Sequence, residues 1–146
     1  FWYRGNGAID VISDREFKKG NFKGRNVVVL GNATVNSAWD QVLGHAPIKV
    51  SRGELIGTGA SRVGSYASLF IYYRKDDHSS LAAAIAGTDL ASMRLSDRLP
   101  YFVSGVQLPD YTIFDSKVLL DGPKGVLEAG YFGRDWSIAS GESAIR

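Results

Sequence analysis

The chain has no cysteine, one methionine, two histidines and four prolines among 146 residues. Without cysteine there are no disulfides, no zinc ribbon and no thiol nucleophile, although an exported bacterial protein of this size can fold without bridges. His45 and His78 lie at no metal-ligand spacing from each other or from a carboxylate on a recognisable element, so neither metal nor cofactor is expected. No apolar run approaches the roughly 20 residues that cross a bilayer, and the start lacks the charged and apolar regions of a signal peptide. Membrane insertion is not expected. The first residue is not methionine, which leads us to expect a longer precursor carrying any export signal ahead of Phe1. No G-x-S-x-G nucleophile elbow occurs. In GTGASRVG (57–64) Arg62 stands where the third glycine of a dinucleotide fingerprint would be, and a Walker lysine is absent. Charge of one sign is also lacking: 17 basic residues face 15 acidic ones, so no global field points to nucleic acid. The basic residues gather in the first half, where KKGNFKGR (18–25) offers Phe22 for base stacking but reads as a solvated connector.

What is present is 45% hydrophobic, enough for one core that buries roughly 70% of the unfolded surface. Residues 1–25 read as an N-terminal arm or edge strand with a basic connector, and 26–146 as one α/β domain. NVVVL (26–30) is a β-branched run of the kind that fills a central strand covered on both faces. Gly31 ends it, and a helix over Ala38, Trp39, Val42 and Leu43 follows, capped by Thr34 or Asn36 and stopped by Gly44. IKVSRGELIG (48–57) suggests a strand, or a hairpin turning near Arg52-Gly53, GTGASRVGS (57–65) a mobile turn, and ASLFIYYRK (67–75) a strong strand. LAAAIAG (81–87) is an alanine-rich strand against which a helix must press closely. That helix enters at Asp89, with Leu90, Met93 and Leu99 as its apolar stripe. Two strands around Gly122-Pro123 and a polar tail after Ile138 complete the pass. The expected fold is a single three-layer Rossmann-like α/β sheet, parallel in the middle with antiparallel edge strands.

If the strands before Gly31 and Gly87 lie parallel and adjacent, both glycine turns meet at the carboxyl rim of the sheet, where α/β folds place ligands. Asn32, Thr34, Asn36, Thr88, Asp89 and Arg94 would line that crevice. The competing reading makes these residues helix caps, and Asp89 favours it because a carboxylate already occupies the place an anion would take. Asp77-His78-Ser79-Ser80 contains triad residue types, but sequence neighbours do not wrap around one another as nucleophile, base and orienter, so it reads as a surface turn. Asp76 and Asp77 read as capping or solvent-facing charge, and His45 as an imidazole favoured in its charged form by a helix C-terminus. Arg98 could pair with Asp97 or reach the Gly87 turn. Trp2, Tyr3 and Trp136 are the aromatic residues expected at an interface.

The segments FWYRGNG, RNVVVLGNATVNSAW, AGTDLASMRLSDRLPYFVSGV and AGYFGRDWSIASGE together resemble the C-terminal region of large bacterial α/β-hydrolases of the prolyl-oligopeptidase-like class, proteins usually exported. The resemblance spans nearly the whole chain. It implies a secreted or periplasmic polypeptide whose nucleophile, acid and histidine belong to a separate upstream hydrolase domain, with this chain supplying no triad residue. Ala33 and Val35 depart from the pattern, in a turn where more polar residues including an acid are expected, which weakens a binding role for that loop. The function expected is therefore a non-catalytic accessory module that packs on the hydrolase domain or shapes access to its cleft. The alternative is a small-ligand module that takes phosphate, nucleotide or sugar at the two glycine turns.

Overall fold

A computed structural model describes residues 7–99, 103 and 105–145. The strands are β1 Val27–Leu30, β2 Lys49–Ser51, β3 Glu54–Ile56, β4 Ser61–Val63, β5 Ala67–Tyr73, β6 Leu81–Gly87, β7 Tyr111–Phe114, β8 Val126–Tyr131 and β9 Glu142–Ile145. The α-helices are α1 Asp14–Lys19, α2 Trp39–Leu43, α3 Leu90–Leu95 and α4 Val118–Asp121, with 3-10 turns at Ser96–Arg98 and Gly122–Gly125. The main sheet has the order β1-β6-β5-β7-β8-β9, and β2-β3-β4 form a second, antiparallel sheet.

This overturns the Rossmann-like expectation. Only β1 and β6 pair in parallel; every other pair in the main sheet is antiparallel. The reason is the connections. A tight turn after Tyr73 returns the chain directly as β6, and the crossover from β1 to β6 passes through the small sheet and β5 in place of one packed helix. The run NVVVL is not central either. It forms an edge strand, in which Val29 is buried while Val28 and Leu30 are 40% and 58% exposed.

Between the two sheets lies the larger core, with Val29, Trp39, Val42, Leu43, Ile48, Val50, Leu55, Phe70 and Ile113. The helix face expected around Ala38, Trp39, Val42 and Leu43 is buried in it. Each such large side chain contributes about 1.5–3 kcal/mol by leaving water. Ala82, Ala84 and Ala86 point into the same layer, and their small volume lets β2 close on β6. The opposite face carries a smaller cluster of Ala67, Leu69, Ile85, Leu95 and Phe114 beneath α3. Leu95 takes the place expected for Leu90, which is exposed. Gly87 permits the close approach of α3, since a Cβ there would stand 2.4 Å from the Met93 backbone nitrogen.

Five further features differ from expectation. Residues Asp14–Lys19 form α1, opened by a capping box in which the N-cap Ser13 and Glu16 each satisfy the other's backbone N–H. The glycine-rich stretch at 57–65 contains β4 and a buried joint: Glu128 accepts from the Thr58 N–H at 3.0 Å and its hydroxyl at 2.7 Å, and pairs with Arg62. Between the two strands around Gly122-Pro123 sits α4, and the polar tail supplies β9. Finally, the carboxylate of Asp76 is not solvent-facing charge but clamps the buried Arg74 through Nε (3.0 Å) and Nη2 (2.9 Å). Arg74 Nη1 donates to the carbonyls of Phe22 (2.7 Å) and Arg25 (2.6 Å), and the guanidinium lies over the Phe17 ring. One buried cation thereby holds the basic connector against the end of β5.

Candidate functional site

The parallel pairing of β1 and β6 brings the two glycine turns to one rim, where the Asn32 amide donates to the Gly87 carbonyl at 2.7 Å. The polar groups there are consumed by backbone. Asn32 is buried, and its Oδ1 accepts from the Thr34 N–H at 3.0 Å. Thr34 Oγ1 accepts from the Arg52 N–H, and the carbonyl of Thr88 accepts from the Gly53 N–H. The Thr88 hydroxyl is fully buried, donating to the Gly64 carbonyl at 2.6 Å and accepting from the Tyr66 N–H at 2.9 Å. Asn36 spans from the Leu30 carbonyl to the Ala38 N–H. Thus Thr34 and Thr88 tie the small-sheet hairpin and the segment after β4 to the rim, while Asn32 ties the two glycine turns to each other.

Asp89 is the N-cap of α3, accepting from the Ser92 N–H at 2.7 Å and the Ser65 hydroxyl at 3.0 Å. The bond from the Ser92 N–H chiefly holds its carboxyl below the usual carboxylate range. Arg94 is exposed on α3, and among the described residues no hydrogen bond or ion pair ties it to the rim. Nor is Arg98 paired with Asp97 there. Trp2 and Tyr3 lie outside the described residues.

Trp136 belongs to a second place, which sequence reasoning did not assemble. At the end of β5, Tyr72 and Tyr73 meet His45, His78, Phe132 and Trp136 in a cluster of edge-on, tilted and stacked rings, with Tyr73 5.6 Å from Trp136 and 4.5 Å from His45. Beside it is an open hollow of about 320 Å³ lined by Tyr73, His78, Ser79, Leu81, Asp135 and Trp136. Trp136 has φ +61°, the only positive φ outside glycine among the described residues. Its carbonyl accepts from the Tyr72 hydroxyl at 3.0 Å, and its N–H donates to the Gly133 carbonyl at 2.9 Å. Burial pushes the Tyr72 hydroxyl up to about 12. Asp135 caps the same turn by accepting from the Ser140 hydroxyl and the Ser137 N–H, bonds that bring its carboxyl down to about 2.

His45 is held in this cluster with both ring nitrogens buried and unpartnered. Burial first, then the neighbouring charges of His78 and Lys75, lower its pKa. That reverses the expectation of a charged imidazole favoured by the helix end. The Asp77–Ser80 turn is no triad. Ser79 and Ser80 both donate directly to the Asp77 carboxylate at 2.7 Å, with no imidazole between. These hydroxyls and the Gly24 N–H hold that carboxyl far below its usual range.

Among the described residues no group of three or more His, Asp or Glu is placed to hold a metal, and no helix is long and apolar enough to cross a membrane. No family model, curated protein or solved structure matches the chain.

Proposed function

We propose that the chain is a non-catalytic accessory module of an exported serine hydrolase, packed on the catalytic domain of the same polypeptide where it shapes access to the cleft. The observation that carries this reading is the uneven cover of the main sheet's outer face. Under α3 that face is closed over Ala67, Leu69, Ile85 and Phe114. Towards its free edge Val28 and Leu30 are 40% and 58% exposed on β1. Apolar surface of this kind costs about 25 cal/mol per Å² to leave in water, and in a longer polypeptide it marks where another domain rests. The four resembling segments point the same way, and one of them contains β1. The bonding of Ser79 and Ser80 to Asp77 also supports a non-catalytic role, since neither hydroxyl is offered to an imidazole.

The test has two arms. Purified 1–146 is expected to turn over neither p-nitrophenyl esters nor prolyl peptides, and hydrolysis abolished by Ser79→Ala with Ser80→Ala would overturn the reading. In the intact polypeptide, amides 26–31 are expected to exchange hydrogen more slowly than in the isolated chain, and Val28→Asp with Leu30→Asp should erase the difference. Equal exchange in both would remove this face as the contact.

A further inference from the structure

We infer that the hollow beside Trp136 binds a neutral saccharide. It is an open surface hollow of about 320 Å³. Tyr73, Leu81 and Trp136 supply apolar wall, the kind of surface on which the C–H face of a sugar ring rests. Around that wall stand the carboxylate of Asp135, the imidazole of His78 and the hydroxyl of Ser79. This mixture of acceptors and a donor-acceptor ring matches hydroxyl groups, each of which both donates and accepts. Ser79 already donates its proton to Asp77, so its oxygen remains available as an acceptor. Among the described residues His78 makes no hydrogen bond with the protein, and it is exposed.

Other ligand classes fit less well. Asp135 is ionised at neutral pH and repels phosphate or carboxylate. The rings of Tyr73 and Trp136 cross at 69°, which leaves no parallel slot for a planar base. The backbone fixes this wall in place. A bulky residue at positive φ is strained and persists only where its surroundings over-determine it. Here the Tyr72 hydroxyl, the Gly133 carbonyl and the Asp135-capped turn all pin Trp136, and the indole is thereby kept at the wall of the hollow.

The experiment titrates the chain 1–146 with N-acetylglucosamine, methyl α-glucoside, methyl α-mannoside, methyl β-galactoside and cellobiose, following indole fluorescence and the melting temperature. Phosphate, choline and AMP serve as comparison ligands. At least one sugar should give a saturable change. Asp135→Asn, which keeps an oxygen for the turn, and His78→Ala on the exposed rim should each weaken it about tenfold while the far-ultraviolet circular dichroism is unchanged. Trp136→Phe should retain weaker binding, a ring still being present. The proposal is overturned if no sugar saturates, if phosphate, choline or AMP binds the hollow in preference, or if Asp135→Asn and His78→Ala leave the affinity unaltered. None of these outcomes bears on domain packing, because the titration uses the isolated chain and residues away from Val28 and Leu30.

Discussion

At the scale of single residues, the protein's distinctive groups are polar ones sunk among aromatic rings. His45 touches Tyr72, Tyr73 and His78 and has no hydrogen-bond partner, so its neutral form is the one the fold accepts. Because its folded pKa lies below the ordinary 6.5, the unfolded chain binds more protons just beneath that value. The contribution of neutral His45 is therefore complete above about pH 6.5 and is lost progressively as the pH falls towards the lowered folded value. Melting temperatures measured from pH 7.5 to 5 should fall, and His45→Phe should flatten that dependence; an unchanged slope in the variant would assign the effect to other groups. The residue's position after Gly44 was legible in the sequence. Its charge preference was not, because the sign depends on Tyr72, Tyr73 and Lys75, some thirty positions along the chain.

Among elements, legibility followed burial. The hairpin turning at Arg52-Gly53, the strand of ASLFIYY and the helix face of Trp39, Val42 and Leu43 were readable because their apolar residues enter the core. By contrast α1, α4 and β9 were missed, and each is largely exposed. Ile9, Val11 and Ile12 suggest a strand but all face solvent, Leu120 is 90% exposed on α4, and every residue of β9 is exposed. The S-x-x-E spacing of Ser13 and Glu16 did carry the signal for α1, although it was overshadowed by the alternation before it. The most constrained junction between elements is β6 with α3. A methyl group at Gly87 would meet the Met93 N at 2.4 Å, the Met93 Cα at 2.7 Å and the Ser92 Oγ at 2.8 Å, so α3 would have to lift from the sheet. Gly87→Ala should cost about 1–3 kcal/mol in urea denaturation, whereas Leu90→Ala on the exposed side of the same helix should stay within about 0.5 kcal/mol.

For the whole molecule, the decisive feature is how two sheets are joined. One joint is the rim of Thr34 and Thr88; the other is Glu128 on β8, reached from the small-sheet side by Arg62 and Thr58. Removing one partner leaves an uncompensated buried charge, so Glu128→Ala should destabilise by about 3–5 kcal/mol. Replacing both, with Glu128→Leu and Arg62→Met, should recover most of the loss; a double variant as unstable as the single one would mean that the Thr58 contacts dominate. The amino-acid sequence by itself determined which segments could enter a core, where glycine had to turn the chain, and which catalytic motifs it does not contain, because these follow from local chemistry and periodicity. Strand order, the edge position of β1, the burial of Arg74 and Glu128, and the meeting of Trp136 with Tyr72 and Tyr73 were decided by tertiary structure alone. They depend on pairing between distant segments, and neither the direction of a strand nor the partner of a charge is written in its neighbours.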